Sequence, residues 1–202
     1  GKMDVIAGNF WYEAPDWVPH EIQPSQRFDG ATGYSNSFMN FTADINKDGY
    51  PDQILIGFPG DKCLWRENPG NNTGYWKEHV IWNSACNESA TFVDLLGNKK
   101  PVPVFPHDEK FMAWYEQTAD ANKPFTPHIV SEEKQPGVNR FSHGLGVGDV
   151  NGDGRMDIIT NEGYYEAPAD RTKGPWKFVK ANLGPACGQM YRSEEHTSEL
   201  QS

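Results

Sequence analysis

The chain has 202 residues, of which 37% are hydrophobic and 23% charged, and a formal net charge of −10. A surface this acidic repels phosphate backbones, which argues against a nucleic-acid partner and in favour of cations. No apolar run reaches the ~18 residues of a helical membrane span, and the 20 Gly, 15 Pro and 13% aromatic residues suit short strands joined by turns.

Three cysteines are present, Cys63, Cys86 and Cys187. No Cys-x-x-Cys pair occurs, which argues against a cysteine-ligated zinc site. An odd number cannot pair completely within the chain, and spacing alone leaves a Cys63–Cys86 disulfide open.

In chain order, Gly1-Lys2-Met3-Asp4 leads into an apolar run, Val5-Ile6-Ala7, then Trp11-Tyr12-Glu13 and a Trp17 to His20 segment. The same succession returns. Gly49-Tyr50-Pro51-Asp52 is followed by Ile54-Leu55-Ile56, Trp65-Arg66-Glu67 and Trp76 to His79. A degenerate third copy runs from Asp94 to Phe105, then through Trp114-Tyr115-Glu116 and Phe125 to His128. The fourth has Gly154-Arg155-Met156-Asp157, Ile158-Ile159-Thr160, Tyr164-Tyr165-Glu166 and Trp176, with Val179 where the others have His. The equivalent positions 4, 52, 102 and 157 recur at intervals of about 50 residues.

Each unit reads as four short extended pieces, counting a leading strand such as Leu145 to Gly148. Connections carry Gly, Pro, Asn and Asp, which suit turns. Four antiparallel strands per repeat of roughly 40–50 residues is the pattern of a propeller blade, and no helical periodicity competes with it. The expected fold is therefore all-β. Residues 1–191 are expected to form an incomplete β-propeller of about four blades, each a four-stranded antiparallel sheet, with breaks near 37, 88 and 140.

Two loops carry the sharpest chemistry. Asp44-Ile45-Asn46-Lys47-Asp48-Gly49-Tyr50-Pro51-Asp52 and Asp149-Val150-Asn151-Gly152-Asp153-Gly154-Arg155-Met156-Asp157 both read D-x-N-x-D-G-x-x-D. The predicted ligands are Asp44, Asn46, Asp48 and Asp52 in one loop and Asp149, Asn151, Asp153 and Asp157 in the other. Tyr50 and Arg155 would add backbone carbonyls. Hard oxygen donors converging around a Gly-permitted turn suit calcium, and neither loop offers the thiolates or imidazoles that zinc or copper prefer. An EF-hand is excluded, because position 12 is Leu55 or Thr160 rather than Glu and a β-like run follows. In the third copy Leu96, Asn98 and Val102 replace ligands, so that loop is expected to hold no ion.

The stretch Gly148-Asp149-Val150-Asn151-Gly152-Asp153-Gly154, running into Met156-Asp157-Ile158-Ile159, resembles the FG-GAP/VCBS repeat family, which is similar to the calcium-binding blades of integrin α-subunit propellers. The resemblance extends from Gly1 to about Tyr191. It implies a calcium-loaded propeller that is extracellular, periplasmic or at the cell surface. It implies no single activity, since the family includes non-catalytic binding domains, and similar propellers occur in some polysaccharide lyases and sugar dehydratases.

Adjacent strand residues face opposite sides, so Trp11-Tyr12 and Trp114-Tyr115 should send one ring toward each neighbouring blade. His20, His79 and His128 occupy one repeat position, which points to a role in the repeat, such as bonding a backbone group. His143, before the leading strand of the last unit, has no counterpart in the other copies and is the candidate ligand-contacting residue. No Ser-His-Asp order, phosphate loop or paired-carboxylate signature is present. The expectation is a non-catalytic scaffold for a carbohydrate or protein ligand; the alternative is part of a propeller-type polysaccharide lyase or sugar dehydratase. Asn40, Asn71 and Asn87 begin glycosylation sequons, which matter only in a eukaryotic secretory pathway.

The tail, Arg192 to Ser202, lacks strand alternation and turn glycines. It resembles the in-frame translation of a sequencing adapter and is expected to be foreign to the fold.

Overall fold

The computed structural model describes residues 3–185, so Cys187 and the 192–202 tail lie outside the described residues. Within that span the chain forms fifteen strands and no helix. The first sheet has three strands, β1 (Val5–Ala7), β2 (Phe10–Glu13) and β3 (Val18–Glu21). The second comprises β4 (Met39–Ala43), β5 (Asp52–Ile56), β6 (Cys63–Glu67) and β7 (Lys77–Trp82). The third comprises β8 (Thr91–Val93), β9 (Val102–His107), β10 (Phe111–Glu116) and β11 (Thr126–Ile129). The fourth comprises β12 (Gly146–Gly148), β13 (Asp157–Thr160), β14 (Gly163–Glu166) and β15 (Lys177–Lys180). In every sheet chain neighbours pair antiparallel, so each is a simple meander.

The pleat decides how the sheets pack. In β10, Ala113 and Tyr115 join a core shared with the second sheet, alongside Ile54, Ile56, Cys63 and Trp65. Met112 and Trp114, which alternate with them in sequence, join a core shared with the fourth sheet, alongside Ile158 and Tyr165. The third sheet is thus covered on both faces. Its aromatic pair sends one ring each way, as the alternation Trp114-Tyr115 requires.

Each junction also carries a backbone bond from the residue preceding a last strand. Trp76 N–H donates to Ile22 O at 2.9 Å, Phe125 N–H to Ile81 O at 3.1 Å and Trp176 N–H to Val130 O at 2.6 Å. The Trp or Phe at the head of each Trp-x-x-His segment therefore docks its sheet on the one before. At the last junction the chains approach so closely that a Cβ on Gly174 would overlap the carbonyl of Ile129.

The first two sheets meet differently. Arg66 stands where the other copies have Tyr12, Tyr115 and Tyr165, and its side chain is nearly buried. It donates to Glu78 Oε1 at 2.9 Å, Asn9 Oδ1 at 3.0 Å, Gln53 Oε1 at 3.1 Å and Gly8 O at 3.2 Å. The Gln53 amide in turn donates to Asn40 Oδ1 at 2.7 Å and Gly8 O at 2.8 Å. A satisfied polar network here replaces the aromatic contact.

Cys63 and Cys86 are both buried and unpaired. Burial pushes both thiols up, which makes them poor nucleophiles. No helix of the described residues is long and apolar enough to cross a membrane.

Trp114 is 1% exposed, whereas Trp17 is 52% exposed. Trp114→Ala should lower unfolding free energy by about 3–5 kcal/mol. Trp17→Ala should stay within about 0.5 kcal/mol of the parent. Urea unfolding of the full chain, followed by fluorescence and circular dichroism, checks both values.

Candidate functional site

The Asp loops join the first and second strands of their sheets, between β4 and β5, β8 and β9, and β12 and β13. All three share two backbone features. Their fourth and sixth residues are left-handed: Lys47 and Gly49 at φ 63° and 92°, Gly97 and Lys99 at 70° and 64°, Gly152 and Gly154 at 78° and 83°. The first Asp holds this shape by accepting backbone N–H groups. Asp44 accepts from Asp48 at 3.1 Å and Gly49 at 3.0 Å. Asp94 accepts from Asn98 at 3.0 Å and Lys99 at 2.7 Å, and Asp149 from Gly152, Asp153 and Gly154 at 2.7–3.1 Å. The loop conformation is therefore written in backbone bonds, and the third loop keeps it without the other oxygen ligands.

The remaining donors split into two groups. Asn46 and Asp48 stand together on the turn; Asn46 Nδ2 donates to Asp48 Oδ2 at 2.9 Å and approaches Glu67 Oε1 at 3.4 Å. Asn151 and Asp153 repeat the arrangement at 3.0 Å, and there Arg155 also reaches the Asp153 carboxylate with its guanidinium. By contrast Asp52 and Asp157, the ninth residues, are fully buried. Asp52 accepts from Ile45 N and Asn68 N, both at 2.8 Å. Asp157 accepts from Val150 N at 2.9 Å and Ala167 N at 2.8 Å. These two carboxylates clamp the loop to the segment following the aromatic strand. Asp4 does the same for Ala14 N at 2.9 Å.

Burial pushes the Asp52 carboxyl up to about 6, against the backbone bonds from Asn68, Ile45 and Asn46 that pull it down; nearby Asp48 adds to the rise. Asp157 is likewise raised by burial, opposed by the bonds from Ala167 and Val150. A cation beside either group would relieve that desolvation. The donors of both loops are carboxylate and amide oxygens, which fit a hard cation and no soft one. As drawn in together by the protein alone, no group of three or more His, Cys, Asp or Glu among the described residues reaches metal-ligand spacing.

The repeated histidines have a different partner from the backbone group expected. Each lies flat on the Trp across from it: His20 on Trp11, His79 on Trp65 and His128 on Trp114, with ring centroids 4.0–4.1 Å apart. Each Nε2 meets the Glu that ends the aromatic strand: Glu13 at 3.0 Å, Glu67 at 2.9 Å and Glu116 at 2.8 Å. These are repeat-building contacts. In the fourth sheet Val179 replaces His, and Lys177 meets Glu166 at 2.8 Å instead.

His143 lies at the other end of the sheets. The pairings Met39↔Ile56 and Ala43↔Asp52 put the Asp loop at one end of β4 and the β5–β6 turn at the other. The segments 57–62, 83–90 and 131–145 meet at that second end through Gly60 N→Ala85 O (2.7 Å), Asn87 N→Arg140 O (2.8 Å) and Glu88 N→Ser142 O (2.8 Å). His143 Nε2 stands 3.2 Å from Glu88 Oε2, and Arg140 Nε donates to Glu109 Oε1 at 2.7 Å. Sequence reading singled out His143 but missed Glu88, Glu109 and Arg140. Their only signal was that Asn87-Glu88-Ser89 and Asn139-Arg140-Phe141 depart from the repeat.

No protein-family model, curated protein or solved structure matches the chain.

Removing the Asp157 carboxylate leaves the buried Ala167 N–H without an acceptor, at a cost of about 1–3 kcal/mol, and the part-buried Val150 N–H loses its partner as well. Asp157→Ala should therefore destabilise the chain even with no calcium present, with an unchanged dependence on urea concentration. Asp153→Ala should cost far less under the same conditions, because Asp153 sits on the surface of the turn. Chemical denaturation in chelator gives both values.

Proposed function

We propose that this chain is a segment of an FG-GAP/VCBS-type β-propeller that binds calcium in loops 44–52 and 149–157 and serves as a scaffold for a carbohydrate or protein ligand. One observation carries the reading: three loops with left-handed residues at the same two positions occupy the same place in three consecutive meanders, and two of them retain a full set of oxygen donors. The face-to-face succession of four-stranded sheets supports the propeller architecture.

Asp44, Asn46 and Asp48, with the Tyr50 carbonyl, would hold the ion in the first loop. Asp149, Asn151 and Asp153, with the Arg155 carbonyl, would hold it in the second. Asp52 and Asp157 have both oxygens engaged by the backbone, and each oxygen keeps a further lone pair for a cation. The ion would supply charge that offsets the carboxylates crowded on each turn. Loops of this kind in extracellular modules bind at about 10⁻⁴–10⁻³ M. That affinity suits an extracellular, periplasmic or surface location, where such sites fill.

The alternative, part of a polysaccharide lyase or sugar dehydratase, draws on the His143–Glu88 pair, an imidazole–carboxylate contact outside the repeat pattern at this end of the sheets.

Calcium should raise the melting temperature, and excess chelator should reverse the gain, as mass action requires of a ligand that binds only the folded state. Asp48→Ala and Asp153→Ala should each remove part of the gain. Asp94→Ala should lower stability without changing its calcium dependence. Identical melting curves with calcium and with chelator would refute calcium binding.

A further inference from the structure

Two cavities adjoin at the end of the sheets remote from the Asp loops. One, of about 370 Å³, is lined by Lys134, Gln135, Asn139, His143, Asn161 and Glu162 among others. The second, of about 480 Å³, is bounded by Glu109, Arg140 and residues common to both, namely Asn139, Phe141 and Ser142. Each falls within the roughly 300–1,000 Å³ of small-ligand sites. Phe141 stands between them, half exposed at 52%, its ring 5.7 Å from Phe58 in an edge-on contact. That contact holds the ring upright and leaves a face for a ligand.

The walls are built rather than loose. Asn87, buried and left-handed at φ 76°, donates to Gly137 O at 3.2 Å and accepts from Ser89 N and Oγ, both at 2.8 Å. Ser89 Oγ in turn accepts from Leu145 N at 3.1 Å. The network ties segment 83–90 to segment 131–145 and so fixes Glu88 against His143. The β9–β10 turn places Asp108 and Glu109 at φ 53° and 59°, where Gly and Asn are favoured. That costly choice gives Arg140 its carboxylate. Gln135 Oε1 is buried beside the trough with no hydrogen-bond partner.

We propose that this trough binds a neutral oligosaccharide, with the C–H face of one sugar ring against Phe141 and hydroxyls on the flanking polar groups. The site offers donors and acceptors in equal measure, as hydroxyls need. Asn139 and Asn161 carry both, Lys134 donates and Glu162 accepts. Charge argues against an anionic ligand. Arg140 and His143 are already paired with Glu109 and Glu88, which leaves Lys134 and Glu162 as the remaining charges lining the first cavity. A polyuronate would meet three carboxylates on a chain of net charge −10. The inference rests on the ligand-binding reading above but not on calcium.

Affinity electrophoresis of the full chain through native gels tests it, using xylan, glucomannan and mixed-linkage β-glucan as neutral probes and polygalacturonate as the charged one. At least one neutral probe should retard the chain. Phe141→Ala should weaken that retardation about fivefold to tenfold, the scale of one aromatic face. Asn139→Ala should weaken it too, and Phe141→Tyr should restore it. Tyr75→Ala, which removes an exposed ring on the segment before β7, should change nothing. Circular dichroism melts confirm that each variant is folded. Retardation by a neutral probe that survives both Phe141→Ala and Asn139→Ala would overturn the site while leaving carbohydrate binding intact. Retardation by polygalacturonate alone would overturn the ligand class, and retardation by none of the four would overturn the proposal outright.

Discussion

Trp114 and Tyr115 are neighbours in sequence and point to opposite faces of the same sheet. Each is essentially closed off from water, and each belongs to a different core. Burying one such ring contributes about 1.5–3 kcal/mol. Burying two in succession is possible only if the strand is covered on both sides. The third sheet is therefore stable as the middle of a stack and would be a poor structure alone, with aromatic faces exposed to water. The same argument applied to Trp65 and Tyr165 gives each sheet a need for the next. The His stacked on each Trp and held by a Glu keeps that ring flat in the sheet face, so the stack has a regular surface to close on.

Where the rule is broken, the compensation is specific. Between the first and second sheets the aromatic position is Arg66, and a buried guanidinium is tolerable only when every N–H finds an acceptor. For Nε and Nη1 of Arg66, Glu78, Asn9, Gln53 and the Gly8 carbonyl supply them. Such a network is directional where an aromatic contact is not. It sets how these two sheets are placed on one another more narrowly than ring packing would. Its residues change together, since Gln53 stands where the fourth copy has Ile158 facing its neighbour.

The Asp loops separate shape from ion chemistry. Asp44, Asp94 and Asp149 each gather the turn's backbone N–H groups, and all three turns adopt the same two left-handed residues. The buried Asp52 and Asp157 then pin two of the turns to the strand ends. The third turn lacks that clamp, with Val102 in its place, and its sheet instead gains apolar burial on both faces. A unit can thus lose its oxygen ligands without losing its fold, which is why one degenerate copy sits between two intact ones.

Much of this was legible in the chain itself. The recurrence of Asp4, Asp52, Val102 and Asp157, each followed by an apolar run and an aromatic-acidic cluster, dictated an all-β repeat of short antiparallel strands, because side-chain alternation is local and survives any tertiary setting. The oxygen donors of the two intact loops were equally plain, since they lie within nine residues of one another. What lay beyond the sequence was every contact that joins distant positions. The histidines were visible as a repeat, but the stacking on Trp and the bond to Glu depend on strand register. The double use of Asp52 and Asp157 depends on which N–H groups the next hairpin brings to them. The pairing of His143 with Glu88, 55 positions apart, exists only because three inter-sheet segments cross at one end of the stack. Local chemistry is written in consecutive residues; which remote groups it meets is decided by the packing of one sheet on the next.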